Sequence, residues 1–372
     1  MKRLVLVFLA ILTFPLLAAA QAPEIFFSDI TRGPNSGNSD TTYSATGGAY
    51  VTIYGNYLTG FSSITLGGAS CLTVVKPPAA WMWYQRMVVK IGTGCSTGNW
   101  SITTPNGTFT GPTKETVLEK LGSDFTVATG HTYYISTTGN DSTGTGSFSA
   151  PWLTPYHAKY QLADGDIMYG ENGVTATTTD PDGAGVFTLS PTICGTSIAR
   201  TFATYPGATV TIGTTSLDNA VRPNTNCAGN YVFSGITFRG QNTALDLVIY
   251  NSNMTNIHVV GTDISCPQAN QETGCIQDGG NTSPFTDSGM VYLGNNLHDV
   301  GTGNNGLQHA IYHGDTFSII DGWNTISNVS GACRGIQVYT STANFLHYDV
   351  HLHDNIIHDT FAYKALNKSY VQ

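Results

Sequence analysis

The stretch Asn295-Asn296-Leu297-His298-Asp299-Val300 recurs as Asn324-Thr325-Ile326-Ser327-Asn328-Val329 and again as Asn355-Ile356-Ile357-His358-Asp359-Thr360. The copies start 29 and then 31 positions apart (295, 324, 355), and a weaker copy starts at Asp263-Ile264. Repeat periods of roughly 20 to 50 residues indicate stacked architectures. Because the copies contain β-branched residues and Asn instead of helix formers, they predict a β-solenoid with one copy in each coil.

The composition agrees with an all-β chain. Charged residues make up 10% of the 372 residues, against about 25% in an average protein. The 42 glycines suit many short strands and turns. A net charge of −9 argues against nucleic acid as a partner.

The N-terminus has the pattern of an export signal. Lys2 and Arg3 precede an apolar run from Leu4 to Leu17, and Ala18-Ala19-Ala20 then provides a cleavage site. The alternative is a membrane anchor, but the run is short for a spanning helix. We predict a signal peptide over residues 1–20, no later membrane segment, and a secreted or cell-surface protein that we expect to be a monomer.

An exported chain permits disulfides. Proximity in the sequence pairs six of the seven cysteines and leaves Cys333 over, but spacing alone does not fix connectivity. The expected pairs are Cys71 with Cys95, Cys194 with Cys227, and Cys266 with Cys275.

Residues 22–112 predict an immunoglobulin-like β-sandwich. Apolar and polar residues alternate between turn signals, as in Ala49–Gly55 and Trp100–Gly107. The pattern Pro23-x-Ile25, Gly47-Gly48-x-x-Val51-Thr52-Ile53-x-Gly55, Ile64-x-Leu66-Gly67-Gly68 and Thr104-Pro105-Asn106-Gly107 resembles the IPT/TIG family of immunoglobulin-like domains. The resemblance implies a spacer or a carbohydrate- or protein-contact module, with no chemistry of its own. Residues 113–131 are expected to be a linker.

Trp81, Trp83 and Tyr84 cluster within this unit. Two interpretations stay open for them. Exposed aromatic rings stack on sugar rings, whereas aromatic residues in strands also serve as ordinary core.

The segment that starts at residue 132 indicates how the solenoid begins. In order, it contains a short strand (Tyr133–Ser136), two turns (Gly139–Ser142 and Gly144-Thr145), a Pro-aromatic-x-Thr element (Ala150–Thr154), a helix predicted at Ala158–Leu162 and a Gly-Asp turn (Gly165–Ile167). This order resembles the N-terminal cap of secreted right-handed parallel β-helix proteins, a family that includes polysaccharide lyases, glycoside hydrolases and surface proteins. We therefore predict a right-handed parallel β-helix over residues 132–372. Its C-terminus is expected to be truncated, because less than one coil follows Thr360.

Aligning the strand that follows each repeat predicts two columns of side chains. The aligned strands are Gly274–Asp278, His309–His313, Arg334–Val338 and Lys364–Lys368. They place His309, Arg334 and Lys364 in one column, and Gln277, Tyr312, Gln337 and Asn367 in the next. A basic residue buried in three successive coils is implausible, so we expect the first column at a coil corner in contact with solvent. Neighbouring charges about 4.8 Å apart repel each other unless an anion or solvent relieves them.

This column predicts an anion site and a reaction class. Cleavage of a uronate polysaccharide by β-elimination requires a carboxylate ligand, a base and a proton donor to the leaving oxygen. The candidates are Arg334 for the carboxylate, Lys364 or His309 for the base, and Tyr312 or His313 for the leaving oxygen, with substrate contacts from Gln277, His313, Gln337 and Asn367. The plainer alternative is a solvated basic column without a function.

The resemblance to β-helix lyases also implies a Lys or Arg base, often with Ca²⁺ bound by acidic residues. The carboxylates available for a metal are Asp278, Asp287 and Asp315. The NTD, DD, GHG and RIK motifs of polygalacturonase-like hydrolases are absent from the sequence, so elimination is favoured over hydrolysis. The competing function is a non-catalytic adhesion protein that binds glycans through the solenoid face.

Overall fold

The computed structural model describes residues 21–43, 46–183, 185–190, 192–224, 227, 229–248, 253–268, 274–279, 287–302, 308–330, 334–340 and 347–359. The predicted signal peptide lies outside these residues, as do Cys333, Lys364 and Asn367. No helix in the described part of the chain is long and apolar enough to cross a membrane.

The N-terminal unit consists mainly of two antiparallel sheets. In chain order its strands are β1 (Glu24–Ser28), β2 (Arg32–Gly33), β3 (Tyr50–Asn56), β4 (Ser63–Leu66), β5 (Leu72–Trp81), β6 (Tyr84–Ile91), β7 (Trp100–Thr104) and β8 (Gly107–Thr110). One sheet has the order β1-β3-β6-β5 and the other β4-β7-β8. Inward residues of both sheets, such as Ile53, Val89, Trp100 and Ile102, are buried in one core. The predicted N-terminal β-sheet unit is confirmed.

The segment 113–131 contains α1 (Lys114–Leu118) and β9 (Thr126–Val127). Strand β9 pairs in parallel with β2. Buried Asp124 accepts the backbone N–H of Thr113, the residue that caps α1, at 2.8 Å. Oδ2 of Asp124 also accepts the backbone N–H of Trp100 at 3.0 Å. This bond and the pairing of β9 with β2 attach the segment to the N-terminal unit.

From Thr132 onward the chain forms coils of three strands. In chain order the elements are β10 (Thr132–Ile135), α2 (Pro155–Lys159), β11 (Ile167–Gly170), β12 (Thr175–Ala176), β13 (Phe187–Leu189), β14 (Arg200–Thr204), β15 (Thr211–Gly213), β16 (Val221–Pro223), β17 (Gly229–Ser234), β18 (Thr237–Arg239), β19 (Leu245–Asp246), β20 (Thr255–Val260), β21 (Asp263–Cys266), β22 (Gly274–Asp278), β23 (Asp287–Leu293), β24 (Asn296–Val300), β25 (His309–His313), β26 (Thr316–Gly322), β27 (Thr325–Val329), β28 (Arg334–Val338), β29 (Val350–His353) and β30 (Ile356–Ile357).

Parallel pairing between successive coils builds three sheets. Sheet 1 has the order β10-β11-β14-β17-β20-β23-β26-β29, sheet 2 the order β12-β15-β18-β21-β24-β27-β30, and sheet 3 the order β13-β16-β19-β22-β25-β28. The four copies of the sequence repeat lie side by side in sheet 2, in β21, β24, β27 and β30. The predicted all-β chain with a parallel β-solenoid is confirmed.

The first asparagine of each of the three full copies belongs to a ladder at the corner between sheets 1 and 2. Oδ1 of Asn324 accepts the backbone N–H of Asn295 at 2.8 Å, and Oδ1 of Asn355 accepts that of Asn324 at 3.0 Å. Oδ1 of Asn295 accepts the backbone N–H of Thr262 at 3.0 Å. Because Asn295 and Asn324 are fully buried, their side-chain bonds satisfy backbone groups that water cannot reach. This requirement explains why asparagine recurs.

The fifth residue of each of the three full copies has a left-handed backbone. The φ angles of Asp299, Asn328 and Asp359 are 52°, 50° and 51°. Asn and Asp tolerate this region better than other residues with a side chain. In β24 this residue, Asp299, is an extra one relative to β21, because Ser265 pairs with His298 and Cys266 pairs with Val300. The sixth residues, Val300 and Val329, therefore point into the core.

Helix α2 covers the N-terminal end of the solenoid, as predicted, although it starts earlier than Ala158. Oγ1 of Thr154 accepts the backbone N–H of His157 at 3.1 Å, and Pro155 occupies the first turn. Lys159 is fully buried, and its Nζ donates to Asp180 at 2.5 Å and to Asp182 at 2.8 Å. A charged side chain thus attaches the cap to the first coils.

The N-terminal unit packs along the outer face of sheet 1. Near the start of the solenoid, Oη of Tyr169 accepts the backbone N–H of Tyr50 at 2.8 Å. Several coils further along, the ring of Trp323 stacks on Phe26 and contacts Phe27, at centroid distances of 5.4 and 5.1 Å. This outer face of sheet 1 is therefore core and not an open surface.

Three disulfides are present in the described residues. They join Cys71 to Cys95, Cys194 to Cys227, and Cys266 to Cys275, the same pairs that proximity in the sequence suggested.

Candidate functional site

The strand register brings the predicted columns together on sheet 3. Tyr312 of β25 lies between Gln277 of β22 and Gln337 of β28. In the neighbouring column, His309 is paired with Arg334. The backbone register therefore agrees with the predicted alignment for the described members of both columns. Lys364 and Asn367 lie outside the described residues.

His309 is not at a solvated corner. Only 2% of the residue is exposed, and its ring stacks on that of Tyr312 with a centroid distance of 5.3 Å. The expectation of a solvated basic column is therefore wrong at His309. A buried ring beneath Tyr312 orients the phenol and is poorly placed to take a proton from a bound sugar.

The column of Gln277, Tyr312 and Gln337 continues into coils that lack a recognisable repeat copy. Nε of Arg222 lies 3.2 Å from Oδ2 of Asp246, and Nε2 of Gln277 donates to Oδ1 of Asp246 at 2.7 Å. Burial raises the pKa of Asp246, although Gln277 and Arg222 oppose that shift. From coil to coil, this column of sheet 3 therefore consists of Arg222, Asp246, Gln277, Tyr312 and Gln337. Sequence reasoning missed Arg222 and Asp246 because their strands carry no repeat that gives the register.

His313 lies inside the solenoid and cannot contact a substrate. It is fully buried between two carboxylates, with Nδ1 2.9 Å from Oδ2 of Asp278 and Nε2 3.0 Å from Oδ2 of Asp321. Burial favours the neutral ring, but Asp278 and Asp321 outweigh it and raise the pKa of His313 to about 10. The predicted substrate contact of His313 is wrong: the residue is a buried imidazolium that bridges two aspartates, Asp278 and Asp321.

Two residues of this buried cluster escaped prediction. The hydroxyl of Tyr292 donates to Oδ2 of Asp278 at 2.6 Å, and the Tyr292 ring stacks on His313. Asp321 lies next to Tyr292 in sheet 1, while Asp278 and His313 belong to sheet 3. The cluster thus joins two sheets at a corner, and no spacing in the sequence indicates that these residues meet.

The three carboxylates proposed for a metal are buried and bonded to protein donors. Asp278 accepts from Tyr292 and His313, and Asp315 accepts from Thr340 at 2.9 Å. Asp287 accepts two backbone N–H groups, and burial, with a smaller effect of Asp278, raises its pKa to about 7. Across the described ranges, no group of three or more His, Cys, Asp or Glu is arranged to hold a metal ion. These residues do not fit a Ca²⁺ site.

A groove of about 1070 Å³ separates the N-terminal unit from the solenoid. One wall comes from β5 and β6 and includes Lys76, Trp81 and Arg86. The other wall follows sheet 2 and the turns that lead into it. Sequence reasoning named Trp81 but did not bring the two walls together, because the packing of the two units leaves no local signal.

No protein-family model matches the chain, and no curated protein does. It is similar in fold to two lyases. Pectate lyase Pel9A has 15% sequence identity with a TM-score of 0.29, and the match covers 57% of this chain and 62% of that one. A rhamnogalacturonan lyase has 14% identity with a TM-score of 0.26, covering 62% of this chain and 68% of that one. The chain thus spans 62% of the length of Pel9A, and the likeness concerns the fold alone.

Proposed function

We propose that this protein cleaves an acidic polysaccharide by β-elimination on the outer face of sheet 3. The observation that carries the proposal is the register of β25 and β28, which puts Arg334 beside His309 and Gln337 beside Tyr312. Arg334 is assigned to the uronate carboxylate, and the phenol of Tyr312, in the other column, is assigned to the leaving oxygen. The amides of Gln277 and Gln337 supply hydrogen bonds to sugar hydroxyls.

Each residue has a defined role in this reaction. Arg334 binds the carboxylate of the uronate and stabilises the negative charge that develops when the adjacent carbon loses its proton. Lys364 accepts that proton. The bond from the neighbouring carbon to the glycosidic oxygen then breaks, a carbon–carbon double bond forms, and the hydroxyl of Tyr312 donates its proton to the leaving oxygen. His309 is a positioning residue, because it supports the ring of Tyr312 from below.

The test uses the ultraviolet absorbance of the unsaturated uronate product. The full chain is incubated with polygalacturonate, alginate and hyaluronan, and the variants are Arg334→Ala, Lys364→Ala and Tyr312→Phe. We expect product from at least one polymer with the wild type and at least a hundredfold lower kcat in each variant, a loss typical of general acid–base groups (about 10²–10⁴). The control is Arg32→Ala, which removes an exposed arginine from the N-terminal unit. Undiminished cleavage by Arg334→Ala and Lys364→Ala would refute the assignment.

A second candidate is non-catalytic binding of cell-surface glycans. The ion pair of Arg222 with Asp246 and the burial of His309 favour it, because they leave much of sheet 3 neutral. Binding of a polyuronate by the wild type without any unsaturated product would establish this function in place of cleavage.

We also propose that the chain is exported and that its N-terminal unit is an IPT/TIG-like domain. The basic and apolar pattern of residues 1–20 supports export. Three disulfides support it as well, because disulfides persist in oxidising compartments. Detection of a mature chain that begins at Gln21 would test the cleavage site.

A further inference from the structure

We infer that the groove between the N-terminal unit and sheet 2 is a second glycan site, which binds an extended chain of acidic sugars. It lies on a different face from the columns of sheet 3. Binding in this groove does not depend on cleavage of the polysaccharide at sheet 3.

The groove has the shape of a site for a linear polymer. Its solenoid wall contains one outward residue from each of five successive coils, in register along sheet 2. At about 4.8 Å per coil the row is about 19 Å long, so an occupant must be extended along the solenoid axis. The row offers mostly hydroxyl, amide and carboxylate groups: Thr237, Asp263, Asn296, Thr325 and Ile356.

The opposite wall provides positive charge. Among the described residues, neither Lys76 nor Arg86 forms an ion pair with a carboxylate, and both are half-buried at the groove. The carboxylate within the groove, Asp263, is already neutralised, because Arg239 lies 2.5 Å from it and His298 3.2 Å. In a chain with a net charge of −9, this groove therefore attracts anions.

Aromatic rings on the same wall favour acidic sugars over anions that have no sugar ring. The ring of Trp81 is fixed, because its Nε1–H donates to the carbonyl of Gly294 at 3.0 Å and the guanidinium of Arg86 lies 4.1 Å from its centroid. Trp83 lines the groove and is 40% exposed. Such rings pack against the C–H faces of sugars, while polar groups nearby bind the hydroxyls.

The two walls are held in place before any ligand arrives. The hydroxyl of Tyr84 donates to the carbonyl of Trp323 at 3.2 Å, and Phe26 stacks on Trp323. Tyr84 begins β6, the strand that also carries Arg86. A preformed groove avoids much of the ordering cost of binding.

The experiment measures binding to the full chain by titration calorimetry, with polygalacturonate, alginate and neutral mannan as probes. The test variant is Lys76→Gln with Arg86→Gln. The matched control, Lys120→Gln with Arg32→Gln, also removes one lysine and one arginine, at positions that do not line the groove. Trp83→Ala removes the exposed ring without touching the charges. Thermal melting of each variant verifies that it is folded.

We expect the wild type to bind a polyuronate, and to bind mannan far more weakly. Loss of two charge-assisted contacts should weaken polyuronate binding at least about tenfold and reduce its salt dependence. The control should stay within about twofold of the wild type. Equal affinities of the test variant and the control, mannan binding as tight as polyuronate binding, or no polyuronate binding by the wild type would overturn the inference.

The same variants separate this inference from cleavage on sheet 3. If the wild type forms no product while Lys76→Gln with Arg86→Gln still weakens binding, the groove stands and the proposed reaction fails. If product forms and the test variant changes neither KM nor affinity, the groove fails and the reaction stands.

Discussion

At the scale of single residues, buried polar side chains determine where the coils turn. Asn324 uses its whole amide: Oδ1 accepts from Asn295, and Nδ2 donates to the carbonyl of Tyr292 at 2.9 Å and to Asn355 at 3.0 Å. The corner thus depends on one residue type, since no other side chain of that length offers both donors and acceptors.

Replacing Asn324 with Ala should destabilise the solenoid by roughly 3 kcal/mol, because it leaves several buried backbone and amide groups without partners. Urea unfolding followed by circular dichroism measures the change. Asn106→Ala, at an exposed turn of the N-terminal unit, is the control and should cost less than about 0.5 kcal/mol. Equal losses in the two variants would contradict the role of the ladder.

His313 predicts a pH dependence of stability. Its pKa is raised from 6.5 to about 10 in the folded chain, so the folded state holds a proton that the unfolded state releases. This stabilising contribution is complete below about pH 6.5 and is lost as the pH rises through about 10. We expect the free energy of unfolding of the wild type to fall over this window.

In His313→Gln that fall should be absent. The variant should also be roughly 3 to 5 kcal/mol less stable near neutral pH, because Asp278 and Asp321 stay buried without a countercharge. Urea titrations at several pH values test both effects, with exposed His131→Gln as the control. A variant with the pH profile of the wild type would rule out this account of His313.

At the scale of elements, the cap is attached to the coils by a buried charge. Lys159 of α2 contacts Asp180, Asp182 and the carbonyl of Thr188, and it is fully buried together with Asp180. Its removal leaves a buried carboxylate unpaired and weakens the cover on the first coil.

Lys159→Ala should therefore lower the free energy of unfolding by roughly 3 to 5 kcal/mol. Lys120→Ala is the matched comparison, because Lys120 pairs with Asp349 on the surface with 72% of its side chain exposed. That variant should lose less than about 1 kcal/mol. Denaturant unfolding of both proteins decides the matter, and similar losses would show that burial of the Lys159 pair is unimportant.

Elements with a periodic signal could be predicted from the sequence, and elements without one could not. The repeat gave the register of β24, β27 and β30, and the alignment of the following strands placed Tyr312 between Gln277 and Gln337. The ion pair of His313 with Asp321 could not be predicted, because Asp321 belongs to a neighbouring sheet. For the same reason, the groove beside Lys76 depends on how two units pack, which no local pattern encodes.

At the scale of the whole molecule, the N-terminal unit and the solenoid share a hydrophobic cluster. Phe27 of β1 stacks on Tyr54 at 4.6 Å and contacts Trp323 of the solenoid, and both Phe27 and Tyr54 are fully buried. The unit covers sheet 1 over many coils, which excludes that face as a substrate surface and leaves sheets 2 and 3.

Phe27→Ala should destabilise the protein by roughly 3 to 5 kcal/mol, the usual cost of removing a buried phenylalanine ring. Because the cluster spans both units, wild type and variant should each unfold in one calorimetric transition. Exposed Tyr57→Ala provides the control. A separate early transition of the N-terminal unit in the wild type would contradict a shared core.

The most direct test of the proposed reaction is the mass of the products that the wild-type chain releases from a polyuronate. Elimination adds no water, so the fragments carrying the new non-reducing end should be one water molecule lighter than hydrolysis fragments. Lys364→Ala should release them at least about a hundredfold more slowly. Fragments with the mass of hydrolysis products, or an intact polymer bound without any fragment, would contradict elimination on sheet 3.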